Sequence, residues 1–155
     1  MNDGEIWTRL EQDDFRGPFW ERVASVLVGY GSPVLRTWIL DGTIATRCSR
    51  ANARGSVSSE QFQAMPAQDV EELVQDILAH GIAQLSRKRG WRRGGGQSLR
   101  SYFVTGCLQA FPTVFRSYSR SRQRWTRGVW AEGVAQSQNP HGESDIAEGW
   151  RARTS

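Results

Sequence analysis

Residues 70–85 constrain the fold most, because their apolar side chains recur with the period of an α-helix. These side chains stand at i, i+3, i+4, i+7, i+8, i+12 and i+15, which places them on one helical face. No stretch of the chain alternates apolar and polar residues as a half-buried strand does. The sequence therefore predicts an all-α fold, a small bundle of about four to five helices. The apolar face consists of Val70, Leu73, Val74, Ile77, Leu78, Ile82 and Leu85.

The opposite face of the same predicted helix is acidic. Asp69, Glu72 and Asp76 fall within about a third of its circumference, with Gln75 at the border. Carboxylates opposite a core face are available to a basic protein partner, for which charge complementarity sets the encounter rate and the register. A solvated face on an arbitrary helical bundle is the plain alternative.

Further helices are predicted upstream. Pro18 suits the first turn of a helix that ends near residues 29–31, where two glycines occur. Residues 32–33, Ser-Pro, then read as the N-cap and first position of a new helix, which stops at residues 41–42. A short helix is expected over residues 43–50.

A long helix is predicted after Ser98, because serine is a favoured N-cap and apolar residues again follow the helical period. Pro112 is expected to kink this helix or to break it locally. Its inward side comprises Leu99, Phe103, Cys107, Ala110, Phe111, Val114 and Tyr118. Its outward side carries Tyr102, Thr105, Gln109, Arg116 and Arg120.

The chain of 155 residues is long enough for one domain with a core and too short for two ordinary ones. Residues 51–66 and the basic residues 91–97 read as loops. We expect an N-terminal extension over residues 1–17, a helical domain over residues 18–130, and a disordered tail over residues 131–155.

The basic residues are concentrated in one part of the chain. Residues 84–131 carry eleven basic side chains and no acidic one, whereas acidic side chains outnumber basic ones on both sides of that window. Such a density suits contacts with phosphate groups and indicates a nucleic-acid partner. A solubilising arginine-rich surface is the alternative, since Lys88 is the only lysine. A general preference for arginine does not explain why acidic residues are missing from this window.

Several function classes find little support in the sequence. Cys48 and Cys107 lack ligand spacing and are expected to be buried free thiols, so no metal or other cofactor is predicted. No Ser/His/Asp set and no phosphate-binding glycine loop is recognisable, which argues against an enzyme. We expect no apolar run long enough to cross a bilayer and no signal peptide, and we therefore predict a cytoplasmic protein.

Residues 69–76 read Asp-Val-Glu-Glu-Leu-Val-Gln-Asp. This phrase resembles D-A-E-D-L-V-Q-E of region 2 of the bacterial sigma factors, especially the small alternative sigma factors of the extracytoplasmic-function type. In that family the helix docks on the clamp helices of RNA polymerase. The resemblance implies core RNA polymerase as a partner, with four polymerase-binding residues. They are Asp69, Glu72, Gln75 and Asp76.

A second phrase follows in the order and at the separation found in the family. Residues 99–103 fall on the first positions of F-R-A-W-L-x-x-I-A-x-N-x-x-x-D-x-x-R-R, the helix that binds and helps to melt the −10 promoter element. Cys107 takes the alanine position, Gln109 the asparagine and Arg116 the first arginine. Thr113 replaces an aspartate and loses its charge.

The resemblance implies that this helix binds the non-template strand of promoter DNA. Arginines would contact phosphates, Tyr102 or Trp125 would stack on an unpaired base, and Gln109 would read a base edge. Partial core packing is the alternative for Tyr102. The candidate DNA-binding residues are Arg100, Tyr102, Thr105, Gln109, Arg116, Arg120, Arg122, Arg124 and Trp125.

A complete family member carries a second domain, a helix-turn-helix that reads the −35 element, and no such pattern follows Trp130. The chain therefore resembles region 2 alone. It would initiate transcription with a separate partner for the −35 contact, recognise the −10 element weakly, or occupy the polymerase clamp unproductively. The alternative function is a non-catalytic interaction protein or sigma-like decoy that binds polymerase or an anti-sigma factor.

Overall fold

The computed structural model describes residues 1–51 and 65–136. This part of the chain contains five α-helices and no strand, which confirms the all-α prediction. Most of the predicted loop at residues 51–66 and the predicted tail from residue 137 onward lie outside the described residues. The helices are α1 (Asp3–Gln12), α2 (Pro18–Leu40), α3 (Ile44–Arg50), α4 (Ala67–Lys88) and α5 (Leu99–Gln136).

The chain divides into two units, residues 1–114 and residues 115–155. The described part of the second unit is helical to Gln136, so the helix extends past the boundary predicted at residue 130. Within that unit the rings of Phe115 and Tyr118 stack with centroids 6.3 Å apart. Pro112 lies inside α5 without interrupting it, so the predicted local break does not occur.

The core of the first unit includes the apolar face of α4. Val70, Leu73, Val74, Ile77, Leu78 and Leu85 are all buried, as the helical period predicts, and Ile82 is half-buried. Helix α2 packs against α4 and also contacts α3. The predicted inward side of α5 is buried from Leu99 to Val114, and the backbone N–H of Ser101 donates to Ser98 Oγ over 3.1 Å. The serine therefore caps α5 as predicted.

The prediction that residues 29–31 end one helix and residues 32–33 begin another is wrong, because α2 is continuous from Pro18 to Leu40. Gly31 serves a close packing contact instead of a helix end. A Cβ atom at Gly31 would lie 3.0 Å from Leu78 and 3.2 Å from Phe103. The bare backbone lets α2 approach α4 and α5, and the helix accommodates Pro33 in its interior.

Helix α2 also overturns the expectation that no apolar run reaches the length of a membrane span. Within the described residues it is one helix of 23 residues, and by length and composition alone it could cross a membrane. The two helices predicted for this segment, divided at residues 31–32, would each be too short to cross a bilayer. Leu27, Leu35 and Ile39 of α2 are buried, but only 22% of the apolar window lies inside the structure. Core helices of soluble proteins and signal sequences near the N-terminus pass the same test.

Residues 1–17 belong to the bundle, whereas the sequence analysis placed them outside the domain. Asn2 and Glu5 form a capping box that begins α1, and Trp7 and Leu10 are 6% and 0% exposed. Asp3 Oδ2 accepts a hydrogen bond of 2.9 Å from the backbone N–H of Leu99. Helix α1 therefore supplies both core side chains and an additional acceptor at the start of α5.

The turn between α1 and α2 is conformationally unusual. Asp14 and Phe15 both have left-handed backbone angles, with φ of 55° and 52°, and a bulky residue rarely adopts them. Phe15 is buried beside Trp7 and Trp20, with ring centroids 5.2 and 5.3 Å away. Arg89 lies over the Phe15 ring and donates to Asp14 Oδ1 over 2.6 Å. These contacts hold the turn in place.

Cys48 and Cys107 are buried free thiols, as predicted. Burial raises the pKa of each thiol to about 12, because the thiolate would lose its hydration. Both cysteines are therefore protonated at neutral pH and act as small apolar core side chains. No cluster of metal-ligating side chains occurs among the described residues.

Candidate functional site

The acidic surface of α4 is smaller than the sequence predicts. Glu72, Gln75 and Asp76 are exposed, and neither carboxylate forms an ion pair within the described part of the chain. Asp69 is only 9% exposed, so its placement on a solvent-facing surface is wrong. It lies in the first turn of α4, where the helix dipole favours a carboxylate by about 0.3–1 kcal/mol.

Glu71 forms an ion pair with Arg36 within the helical bundle. Its carboxylate accepts two hydrogen bonds from Arg36 of α2, one from Nε and one of 2.9 Å from Nη2, and Arg36 also donates to Ser32 Oγ. The hydrogen bonds from Arg36 lower the pKa of Glu71, and its pairing with Arg36 adds to the effect. Glu71 therefore joins α2 to α4, whereas Glu72 and Asp76 remain available to a partner.

A pocket of about 230 Å³ lies between the C-terminal half of α4 and the first turns of α5. Polar and apolar atoms line it in similar measure, and we call it the polar pocket after its amide, hydroxyl and ammonium groups. It brings together three of the predicted DNA-binding residues, Tyr102, Thr105 and Gln109. The wall also includes Gln84 and Lys88 of α4 and Gln97 from the loop before α5. The pocket combines an aromatic ring, amides, a hydroxyl and a cation, which together suit a nucleotide base and its phosphate.

The side chain of Tyr102, on α5, lies next to the end of α4 and the loop that follows α4. Arg89 ends α4 in a left-handed conformation, with φ of 49°, and Gly90 follows. A Cβ atom at Gly90 would lie 2.4 Å from the hydroxyl oxygen of Tyr102, so a larger residue at position 90 would displace the ring. Tyr102 is half-buried and lines the pocket, so neither the predicted DNA contact nor partial core packing is contradicted.

Gln97 and Gln109 differ in how far their amides are engaged. Gln97 Nε2 donates to Ser101 Oγ over 3.2 Å and to Thr105 Oγ1 over 3.0 Å. Gln109 Nε2 donates to the carbonyl oxygen of Ala51, 3.1 Å away at the end of α3. Because an amide carries two N–H groups and one oxygen, exposed Gln109 keeps one N–H and its oxygen for a further partner.

Arg100 does not belong to the polar pocket. Its guanidinium lies 5.4 Å from the centroid of the Tyr30 ring of α2, in a cation–π contact. It lines a separate groove together with residues of α1 and α2. The predicted DNA-binding residues of the first unit are therefore divided between two surfaces.

The remaining candidates lie in the second unit. Arg116, Arg120 and Arg124 are exposed on α5, and Arg122 is half-buried. The side chain of Trp125 lies outside the described residues, so its predicted stacking role stays a prediction.

Two of the basic residues around residues 87–93 hold the structure together. Arg93 Nη2 donates to the carbonyl oxygen of Gly4 over 2.7 Å and to Thr8 Oγ1 over 2.6 Å, both on α1. Arg89 is bound to Asp14. The pairing with Arg89 lowers the pKa of Asp14. Three other basic side chains of this stretch are exposed. They are Arg87, Lys88 and Arg92.

Gln84 and Gln97 were not predicted to belong to a site, and Lys88 was predicted only as one of the eleven basic residues suited to phosphate contacts. Gly81, Gln84 and Lys88 stand at i, i+3 and i+7, so they share one side of α4, and all three line the pocket. That spacing could have indicated a shared surface, but the apolar face of α4 beside it is the stronger pattern in the sequence. Gln97 follows no pattern.

Comparisons of the chain with protein-family models, with curated proteins and with solved structures give no match. The candidate surfaces are therefore interpreted from their own geometry and from the two sequence phrases.

Proposed function

We propose that this protein is a sigma region 2-like transcription protein that binds core RNA polymerase through α4 and single-stranded promoter DNA through α5. The observation that carries the proposal is the arrangement on α4. One side of this helix presents Glu72 and Asp76, which form no ion pair with any residue that the structure describes. The C-terminal half of the helix borders the polar pocket of Tyr102, Thr105 and Gln109. Both partners occur in the cytoplasm, where we propose that the protein acts.

The polymerase contact is assigned to Glu72, Gln75 and Asp76. A basic coiled-coil surface of the polymerase would approach the exposed carboxylates without breaking a pair within the described residues. Asp69 would support the start of the helix from its buried position, and Glu71 would stay bound to Arg36. The contact is electrostatic, and it should therefore weaken as the salt concentration rises.

Co-purification of the tagged protein with core RNA polymerase tests this contact. Reversing both charges in Glu72→Arg/Asp76→Arg is expected to reduce retention of polymerase by at least about tenfold, because like charges then face each other. Both residues are exposed, so circular dichroism should show an unchanged fold.

Glu11→Arg/Asp13→Arg is a matched control, because it changes the net charge equally at two exposed residues near the end of α1. It should retain polymerase like the wild type. Equal retention by all three proteins would remove α4 as the contact, and loss in both variants would assign the effect to net charge.

The DNA contact is assigned to the polar pocket. Tyr102 would stack on an unpaired base, with Gln109 and Thr105 at the base edge and Lys88 on a phosphate. Stacking on an aromatic side chain contributes about 1–3 kcal/mol per base, which corresponds to roughly five- to 150-fold in affinity.

Fluorescence anisotropy with labelled single-stranded oligonucleotides measures this contribution. Tyr102→Leu is expected to weaken binding within that range, whereas Tyr102→Phe keeps the ring and should bind almost as the wild type does. Gln109→Ala should change the base preference at one position of the oligonucleotide. If Tyr102→Leu binds as tightly as Tyr102→Phe, stacking is excluded, and a uniform loss in Gln109→Ala would assign that residue to backbone positioning.

A further inference from the structure

A second surface of the first unit is unrelated to the polar pocket. A groove of about 650 Å³ runs between α1, α2 and the start of α5. Its apolar lining includes Ile6 of α1, Phe19, Val26 and Tyr30 of α2, and Leu99 of α5. Such a groove occurs where apolar side chains of neighbouring helices do not fully cover one another.

The groove collects apolar side chains that the described part of the chain leaves exposed. Met1, Val26, Tyr30 and Leu40 are the large apolar residues with high exposure there, at 72%, 56%, 41% and 64%. The first three line the groove, and Leu40 does not. Isolated exposed apolar residues need no explanation, but their convergence on one concave surface is typical of a binding site.

Basic side chains outnumber acidic ones in the lining of the groove. Arg22 and Arg100 line it. Asp3 is the acidic lining residue, and its carboxylate is engaged by the backbone N–H of Leu99. Arg9 adds a further cation beside the groove, 4.1 Å from the centroid of the Phe19 ring. An apolar floor with arginines around it is complementary to a segment that combines apolar and acidic side chains.

The aromatic rings of the groove argue for a protein and against single-stranded nucleic acid. Nucleic acid would need open ring faces on which bases can stack. Arg9 covers one face of Phe19, and Arg100 lies over Tyr30. The rest of the floor is aliphatic, which suits leucine or isoleucine side chains inserted from a helix. A flat lipid surface would not fill a concave groove.

We propose that this groove binds an acidic amphipathic helix of a partner protein. Apolar residues of that helix occupy the floor between α1 and α2, and its carboxylates pair with Arg22 and Arg100. This surface is distinct from Glu72 and Asp76 of α4 and from the pocket of Tyr102. Occupation of the groove is therefore compatible with both proposed contacts, and neither of them is needed for it.

Titration of the full chain with a labelled peptide tests the proposal. The probe carries leucine at i, i+3, i+4 and i+7 with glutamate on the flanking positions, and a second peptide of equal composition distributes the same residues without a helical face. The amphipathic peptide should bind saturably, and the redistributed one at least about tenfold more weakly. Equal binding of the two peptides, or no binding of the amphipathic one, overturns the proposal.

Two variants on α2 locate the site. Val26→Glu should weaken peptide binding by about tenfold or more, because it places a like charge in the apolar floor. Leu40→Glu changes a slightly more exposed apolar residue outside the groove, 64% against 56% for Val26, and should leave binding unchanged. Circular dichroism verifies that both variants fold. Identical peptide affinities for these two variants would place the peptide elsewhere and overturn the proposal.

Competition distinguishes other occupants. An unlabelled single-stranded oligonucleotide, or vesicles of anionic phospholipid, should leave the bound peptide in place. If the oligonucleotide or the vesicles displace the peptide from the wild type but not from Val26→Glu, the groove binds nucleic acid or membrane instead of a protein helix. Such a result would overturn this proposal without affecting the polymerase contact, which is tested by Glu72→Arg/Asp76→Arg.

Discussion

Replacing Gly81 by valine is expected to lower the free energy of unfolding by about 3 kcal/mol or more, because this position has no room for a side chain. A Cβ atom at Gly81 would lie 2.5 Å from Cys107 Sγ and 3.0 Å from Phe103. Both neighbours are buried at 0% and 1% exposure, so neither can move into solvent. Helix α4 would have to move away from α5, and the walls of the polar pocket would separate. Urea denaturation measures the change.

Gly106→Val is a matched control on α5, since an added Cβ there meets no atom within 4 Å. It should change stability by less than about 1 kcal/mol, because valine is a somewhat better helix former than glycine. A double-mutant cycle isolates the contact: Cys107→Ala should relieve part of the cost of Gly81→Ala. Strictly additive effects of Gly81→Ala and Cys107→Ala would contradict the close approach of the two helices.

Removal of residues 1–17 is expected to leave the rest of the chain unfolded or barely stable. Trp7, Leu10 and Phe15 are each at most 6% exposed, and burial of a large apolar side chain contributes about 1.5–3 kcal/mol. Three such residues contribute roughly 5–9 kcal/mol as an upper estimate, which is comparable to the whole stability of about 5–15 kcal/mol of an ordinary domain. Thermal denaturation followed by circular dichroism compares the truncated and complete chains.

Trp7→Ala in the complete chain separates packing from chain length, and it should cost about 3–5 kcal/mol. Glu11→Gln, an exposed change on the same helix, should leave the unfolding temperature almost unaltered. A truncated chain that unfolds at the temperature of the complete one would show that α1 does not contribute to the core.

The helices that pack with one continuous face were predictable. The apolar residues of α4 follow the helical period, and Ser98 is a favoured N-cap residue at the start of α5. In both cases the local sequence preference agrees with the position of the residue in the fold. Helix α1 was not predicted, although Asn2 and Glu5 carry the capping-box pattern in the sequence. What joins α1 to the core is a contact remote in sequence, between the rings of Trp7 and Trp91, whose centroids are 5.5 Å apart. The turn at Asp14 and Phe15 could not be predicted from the sequence, because neither residue type strongly favours the left-handed backbone conformation that it adopts here.

Gly31 shows where helix propensity fails to predict the end of a helix. Gly31 read as a helix end because glycine is a poor helix former, yet its missing side chain permits the approach of Leu78 and Phe103. Tertiary packing outweighs a propensity difference of about 1 kcal/mol. Whether a glycine ends a helix or lets a neighbour approach depends on contacts that are remote in sequence.

The candidate site was predicted in part. Tyr102, Thr105 and Gln109 were identified from their spacing on one helix, and the structure brings them into one pocket. Arg100 was grouped with them, although it faces Tyr30 of α2. Asp69 was placed on the acidic face because angular position on a helix does not report which neighbouring elements cover it.

The ion pair between Arg89 and Asp14 bears on the thermodynamics of the proposed nucleic-acid binding. Each phosphate neutralised by a protein cation releases condensed counterions, with a salt-dependence slope of about 0.7 per contact for single strands. Arg89 is already neutralised by Asp14 and contributes nothing to this slope unless the ion pair breaks, whereas Arg93 is bound by neutral oxygen atoms of α1 and keeps its charge. Asp14 thus acts as an internal counterion for one arginine of the basic segment. In the proposed complex the slope should count one cation fewer for as long as this ion pair lasts, and it should rise if Asp14 were replaced by a neutral residue.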